Sequence, residues 1–294
     1  MMRIREENGN LIVSGVTDFV PEHIFECGQC FRWERLEDGS YTGIAGGKPL
    51  ILSSRENELI FKNTPRNEFD VFWKRYFDLD TDYLAVKSRL TGDAVLMRAV
   101  TYGSGIRILR QDLWECILSF IISANNNIPR IKGIIERFCT LFGTPVDFCG
   151  RMFYTFPAAE QLLHVTAKDL GPLKAGYRDK YILDAIYKVN SGEVDLQLVE
   201  QAPVDTARAE LMKICGVGPK VADCILLFGA GKREAFPVDV WVRKVLNTLY
   251  HESLDRKSVR QFAENKFGND AGFAQQYLFY YMRENHNELE KGVI

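Results

Sequence analysis

Residues 211–246 read LMKICGVGPKVADCILLFGAGKREAFPVDVWVRKVL, and the rest of the chain is organised around them. The pattern predicts a first helix ending at Cys215, then a turn in which Gly216 and Gly218 bracket Val217. Only glycine takes positive φ cheaply, so two glycines two apart imply a tight backbone hairpin. Pro219 suits the first turn of a second helix, where its missing N–H has no partner to lose. The product is a helix–hairpin–helix whose turn amides point outward, a ready seat for a phosphate.

Two residues in this stretch can do chemistry. Lys220 falls in the first turn of the second helix, at the positive end of the macrodipole, where a cation is disfavoured. That placement lowers an ammonium pKa, and desolvation lowers it further, leaving a neutral amine as nucleophile. The competing reading is an ordinary solvated lysine. Asp239 precedes the periodic VWVRKVL and is a natural N-cap. A carboxylate held by amides stays ionised and can also stabilise a nearby cationic sugar, although capping alone would explain it.

GVGPKVADC followed by PVDV resembles the helix–hairpin–helix, Gly/Pro-rich, Asp superfamily of DNA base-excision glycosylases, and more narrowly the 8-oxoguanine DNA glycosylase family. The likeness continues through CGQCFRW, LRQDLWECILSFIISANNNIPRI, GYRDKY and FAQQYLFY, in the family's order and over nearly the whole chain. It implies a bifunctional glycosylase and AP lyase acting on 8-oxoguanine in double-stranded DNA, as a monomer and without a cofactor. Lys220 would attack the sugar C1′ and Asp239 would steady the oxocarbenium charge. The hairpin residues Gly216, Val217 and Gly218 would grip the DNA backbone.

Bulk properties narrow the class without naming a substrate. The 294 residues are 46% hydrophobic and 26% charged, with a formal net charge of −2, so any nucleic-acid footprint must be local. No run approaches a membrane span, and the N-terminus has no apolar signal region. The seven cysteines are odd in number and irregular in spacing, which argues against a disulfide framework. Cys27 and Cys30 form a lone C-x-x-C with no second pair, so no metal site is expected, and the four-cysteine cluster of endonuclease III-type relatives is missing. The chain begins almost at its first strand and has no basic targeting tail, which suits a bacterial or archaeal cytosolic enzyme.

Along the chain, residues 1–105 read as an antiparallel sheet with bridging helices, and residues 106–294 as a helical domain: an α+β protein. NLIVS, CFRWERL, SYTGIAG, KPLILSS and NELIFKN are the expected strands, and NEFDVFWKRYF carries a helical aromatic stripe. DLWECILSFIISA is apolar nearly all round, a buried helix ended by Asn125, Asn126 and Asn127. The segment 143–156 reads as loop. LKAGYRDKY gathers Lys174, Tyr177, Arg178 and Lys180, either a solvated loop or phosphate contacts with a ring able to wedge into a base stack. The resemblance assigns Asn125, Arg130 and Arg178 to the base left unpaired by flipping and Tyr177 to the wedge. In the last helix, Gln275 and Phe279 share one face, an amide and a ring of the kind a flipped-base pocket needs. Cys224 shares the face of Lys220.

Gly28 is, on the sequence alone, a strand-entry glycine. The family places a glycine carbonyl here against N7 of the base, where 8-oxoguanine carries a hydrogen and guanine a bare acceptor. At Trp241 the chain departs from the eukaryotic members, which have a phosphate-contacting histidine. Two rival functions stay open: a glycosylase for another damaged or mismatched base, which in the alkylpurine case would not need Lys220, and a non-enzymatic DNA clamp in which Lys220 and Asp239 are a surface lysine and a cap.

Overall fold

The computed structural model describes residues 2–252 and 256–290. Its N-terminal part is a six-stranded antiparallel sheet in the order β1-β2-β6-β5-β4-β3, formed by Arg3–Glu7 (β1), Asn10–Ser14 (β2), Trp33–Arg35 (β3), Tyr41–Ala45 (β4), Lys48–Arg55 (β5) and Glu58–Phe61 (β6). Alternation works as the pleat requires: Leu11 and Val13 of β2 stand opposite Phe61 and Leu59 of β6, and all four are buried. The aromatic stripe closes this face. Phe69, Trp73, Tyr76 and Phe77 are buried against the sheet, and Phe25 stacks on Trp33 with ring centres 4.2 Å apart.

The second core is helical. Leu113–Ser123 is the buried central helix, capped by Asp112, and every residue from Leu113 to Ile122 is buried except Glu115. Around it pack Ile128–Phe142, Asp179–Asn190, Val204–Leu211, Pro219–Phe228, Val240–Leu249 and the long last helix Ala271–Glu290. Tyr83, Val86 and Leu96, from the two helices that follow the aromatic stripe, belong to this core rather than to the sheet's.

Four details differ from the sequence reading. Arg3–Glu7 is a strand although RIREE has no apolar alternation, because an edge strand needs only one bonded neighbour and Arg5 pairs with Glu58 two strands away. Pro21–Phe25 is a short helix between β2 and β3. The segment expected as loop contains a hairpin, Pro145–Phe148 (β7) with Arg151–Tyr154 (β8), turned by Cys149 and Gly150 at φ +52° and +74°. A cysteine in that conformation gives no turn signal. The helix before the glycine turn ends at Leu211, not Cys215, and Lys213 and Ile214 instead bond back three residues. LDRKSVRQFAENKFG, residues 254–268, also reads as a helix; it is described from Arg256 to Phe267, and Leu254 and Asp255 lie outside the described residues.

Candidate active site

The hairpin is held from behind by the helix Asp179–Asn190. The Asp184 carboxylate accepts from the Cys215 amide at 2.7 Å, and Lys188 Nζ donates to the Lys213 carbonyl at 2.5 Å. Gly216 has φ +84°, and a β carbon there would meet the Tyr181 ring at 2.6 Å. Tyr181, Asp184 and Lys188 lie on one helical face, a spacing that was readable in GYRDKYILDAIYK but carried no sign of what it faced. Gly218 corrects one expectation. Its φ is −93° and its ψ 179°, so it is an extended N-cap, and a β carbon there would meet nothing within 4 Å. Val217 is buried and anchors the turn.

Pro219 opens the helix as expected, and Lys220 projects from its first turn into a largely buried site. Its Nζ stands 5.9 Å from the Phe120 ring centre of the central helix. The Cys224 side chain, one turn on, is within hydrogen-bonding range, and the Asp239 carboxylate is close enough to act on its charge. Contrary to the sequence expectation, the Lys220 pKa is raised. A Cys224 thiolate is the largest influence, with Asp239 adding to it and burial opposing both. Burial pushes the Cys224 thiol up in turn, so near neutral pH the pair is an ammonium beside a thiol. Cys224, one turn on, and Asp239, brought in from 19 residues away (239 minus 220), together hold the charge on the lysine against its burial.

Asp239 caps the helix Val240–Leu249, its Oδ1 accepting from the amides of Trp241 at 3.0 Å and Val242 at 2.9 Å. Burial raises its pKa, while the two amides and the Lys220 charge pull it down. Capping and facing the lysine are therefore not alternatives, since one carboxylate does both. A cavity of about 520 Å³ runs along the Val221 and Asp223 side of the lysine helix, floored by the Arg208–Asp223 pair at 2.6 Å. Gly28, Gln275 and Phe279 are not among its walls.

Those three residues form a second cluster. Gly28 has φ +80°, and a β carbon there would lie 3.4 Å from Phe279 Cε1 and 3.4 Å from Arg283 Nη1. Thus the ring of the last helix lies close beside the glycine of CGQC. The loop is fixed by its neighbours. Arg283 donates to the Glu26 carbonyl, Gln276 to that of Cys27 at 2.8 Å, and Gln111 to that of Gln29 at 2.7 Å. Among the described residues no side chain donates to the Gly28 carbonyl. Gln29, fully buried, bonds Ile24, Arg107 and Leu109 backbone and ties the loop to the helical body. The Gln275 Oε1 is buried with no hydrogen-bond partner among the described residues. Cys27 and Cys30 are buried in different cores.

Asn125, Arg130 and Tyr177 share one exposed patch at the end of the central helix. Asn125 is in the left-handed region at φ +50°, Asn127 caps the next helix by accepting from the Arg130 amide, and Tyr177 is 49% exposed. Arg178 lies beneath this patch. It is 2% exposed, and its guanidinium bonds the carbonyls of Ala124, Asn125 and Ala175, so that it holds the asparagine turn. At position 241 the indole packs edge-on against His286 of the last helix, ring centres 4.9 Å apart.

The family model for the 8-oxoguanine DNA glycosylase N-terminal domain matches residues 11–117, and that of the HhH-GPD superfamily base excision DNA repair proteins matches residues 118–267. The chain belongs to the 8-oxoguanine DNA glycosylase family. A probable N-glycosylase/DNA lyase of Methanothermobacter thermautotrophicus is 32% identical over 256 residues, covering 80% of each chain. The N-glycosylase/DNA lyase of Saccharomyces cerevisiae is 29% identical, with 87% of this chain and 81% of the yeast protein covered. The Clostridium acetobutylicum 8-oxoguanine glycosylase/lyase, solved with double-stranded DNA containing cytosine opposite 8-oxoguanine, is 43% identical with a TM-score of 0.93, covering 97% of this chain and 98% of that one.

Proposed function

We propose that this N-glycosylase/DNA lyase removes 8-oxoguanine from double-stranded DNA with Lys220 as nucleophile. The observation that carries the reading is the largely buried lysine facing an N-capping carboxylate, beside a braced hairpin. The hairpin amides around Gly216 to Gly218 hold the DNA backbone, Tyr177 enters the base stack, and Asn125 and Arg130 meet the base left behind. The flipped base stacks on Phe279 beside Cys224, with its N7 edge on the Gly28 carbonyl and its Watson–Crick edge on Gln275.

Chemistry begins when the Lys220 ammonium sheds a proton. The amine attacks C1′ as the glycosidic bond breaks; the base leaves with that electron pair and takes up a proton. Asp239 stabilises the positive charge that builds on the sugar, a role fixed dipoles and charges fill with little reorganisation. The sugar ring then opens to a Schiff base on Lys220, and loss of a C2′ proton expels the 3′ phosphate. The protein acts as a monomer in the cytosol of a bacterial or archaeal cell. No helix among the described residues is long and apolar enough to cross a membrane.

Borohydride trapping on a duplex carrying 8-oxoguanine tests the nucleophile. Wild type should become covalently attached to DNA, while Lys220→Gln should bind the lesion and give neither excision nor adduct. Trapping of the variant at normal yield would remove Lys220 from the role.

A further inference from the structure

Among the described residues, three polar side-chain atoms lie buried without hydrogen-bond partners on the last helix, the Tyr277 hydroxyl and two of opposite character on another face. Gln275 Oε1 is an acceptor and Arg283 Nη1 a donor, and neither meets a hydrogen-bond partner among the described residues. Gln275, Phe279 and Arg283 are spaced four apart, so they follow one face of the helix. Arg283 is already committed in part. Its Nη2 donates to the Glu26 carbonyl, its Nε to Glu284 at 2.8 Å, and its guanidinium lies 5.5 Å from the Phe279 ring centre. Its Nη1 is left over, 3.4 Å from where a Gly28 β carbon would stand. A buried guanidinium N–H without an acceptor is costly, and in a binding site that cost is recovered when a ligand supplies one.

We propose that Arg283 determines specificity by donating from Nη1 to a carbonyl oxygen of the flipped base. The proposal rests on the base pocket described above and deepens it. In 8-oxoguanine the carbonyl oxygens O6 and O8 flank N7. If N7 lies on the Gly28 carbonyl, a donor this close to Gly28 is next to one of those two oxygens. The helix then presents acceptor, ring and donor in order, and an 8-oxopurine offers donor edge, π-face and acceptor edge in return. The alkylated adenines have no carbonyl oxygen to offer this donor. A site built around a donor rejects a ligand without the acceptor, because the donor then stays unpaired.

Arg283→Met removes the donor and keeps most of the bulk. Single-turnover excision efficiency on 8-oxoguanine should fall about tenfold or more, the usual scale for one charge-assisted hydrogen bond, while affinity for a tetrahydrofuran abasic-site duplex stays within about twofold. Arg283→Lys, which keeps charge and donors, should recover part of the loss. Sulfur is a weak acceptor, so duplexes with 8-thioguanine and with 6-thio-8-oxoguanine identify the oxygen. One of them should be cut poorly by wild type, and Arg283→Met should not share that sensitivity. Equal sulfur sensitivity in wild type and variant overturns the proposal, and so does a parallel loss of abasic-site affinity, which marks a structural role. Gln275→Ala separates the two layers of inference. If it selectively lowers lesion excision while Arg283→Met does not, only the arginine's role falls; if neither variant is selective, the base pocket itself has been misplaced.

Discussion

The chemical half of the site and the recognition half are built in opposite ways. Lys220 and Asp239 come from one stretch of chain, each at the start of its own helix, and in the proposed reaction an amine and a carboxylate do the chemistry. Gly28 and Phe279 come from opposite ends of the chain and meet only because the last helix docks on the sheet loop through Gln276 and Arg283. With Gln275, they would read the base through a carbonyl, a ring and an amide. Charge needs burial to be strong, and two capped helices supply that locally. Discrimination between guanine and its oxidised form needs an aimed dipole, which only a fixed long-range contact can hold.

The largest expected effect tests the charged half. Asp239→Asn keeps an oxygen to accept from the Trp241 and Val242 amides but removes the charge facing Lys220. Excision should slow by roughly a hundredfold to a thousandfold, the scale for loss of one preorganised electrostatic contact, with lesion binding little changed. The pH profile follows from the same two groups. Asp239 must be ionised, and burial raises its pKa, so activity should fall as pH drops through a range above that of an exposed aspartate. Lys220 must be neutral, and its pKa is raised, so activity should still be climbing on the alkaline side. Asp239→Asn should lose the acid limb and keep the alkaline one. If rate and profile are untouched while melting temperature falls, Asp239 is a cap only.

A smaller effect tests the neutral half. Gly28→Ala puts a side chain at φ +80° and 3.4 Å from Phe279 and Arg283. That strain, of order 1–3 kcal/mol, should turn the carbonyl and lower affinity for 8-oxoguanine about tenfold to a hundredfold. Binding to an abasic-site analogue should hold. On wild-type protein, 8-oxo-7-deazaguanine lacks the N7 hydrogen and should show the same selective loss. Tight binding of that analogue would move the recognition to O8 or to pocket shape.

The same contrast explains what was legible beforehand. Local signals gave the sheet strands 10–14 and 48–55, the central helix, the hairpin and the cap at Asp239, because turns, periodicity and caps act within a few residues. What the sequence did not carry was what comes across from elsewhere. The raised pKa of Lys220 depends on Cys224 and Asp239 together, not on the dipole of its own helix. The burial of Arg178 depends on the carbonyls of Ala124 and Asn125. The strand Arg3–Glu7 reads as charged tail until Glu58 is beside it. Gly28 and Phe279 were joined only through the family resemblance; nothing in either local segment points to the other.

The smallest expected effect lies inside the hairpin and separates two glycines that look equivalent in GVGPK. Gly216 is needed for conformation: it has φ +84°, and a β carbon would press on the Tyr181 ring at 2.6 Å. Gly216→Ala should therefore cost about 1–3 kcal/mol of stability and loosen the hairpin with it. Gly218 has an ordinary φ and open space where its β carbon would be, so Gly218→Ala should cost only about 0.5–1 kcal/mol, the loss expected when alanine replaces glycine at an N-cap. Its distinctive effect should appear with DNA. A methyl group in that open space stands where a backbone phosphate must approach the turn amides, so affinity should fall a few-fold, equally for lesion and undamaged duplex. Melting curves and binding isotherms on the two variants decide it. Equal destabilisation would mean that Gly218 also serves conformation, and a loss confined to lesion DNA would mean that the hairpin takes part in recognition, erasing the division between the two halves of the site.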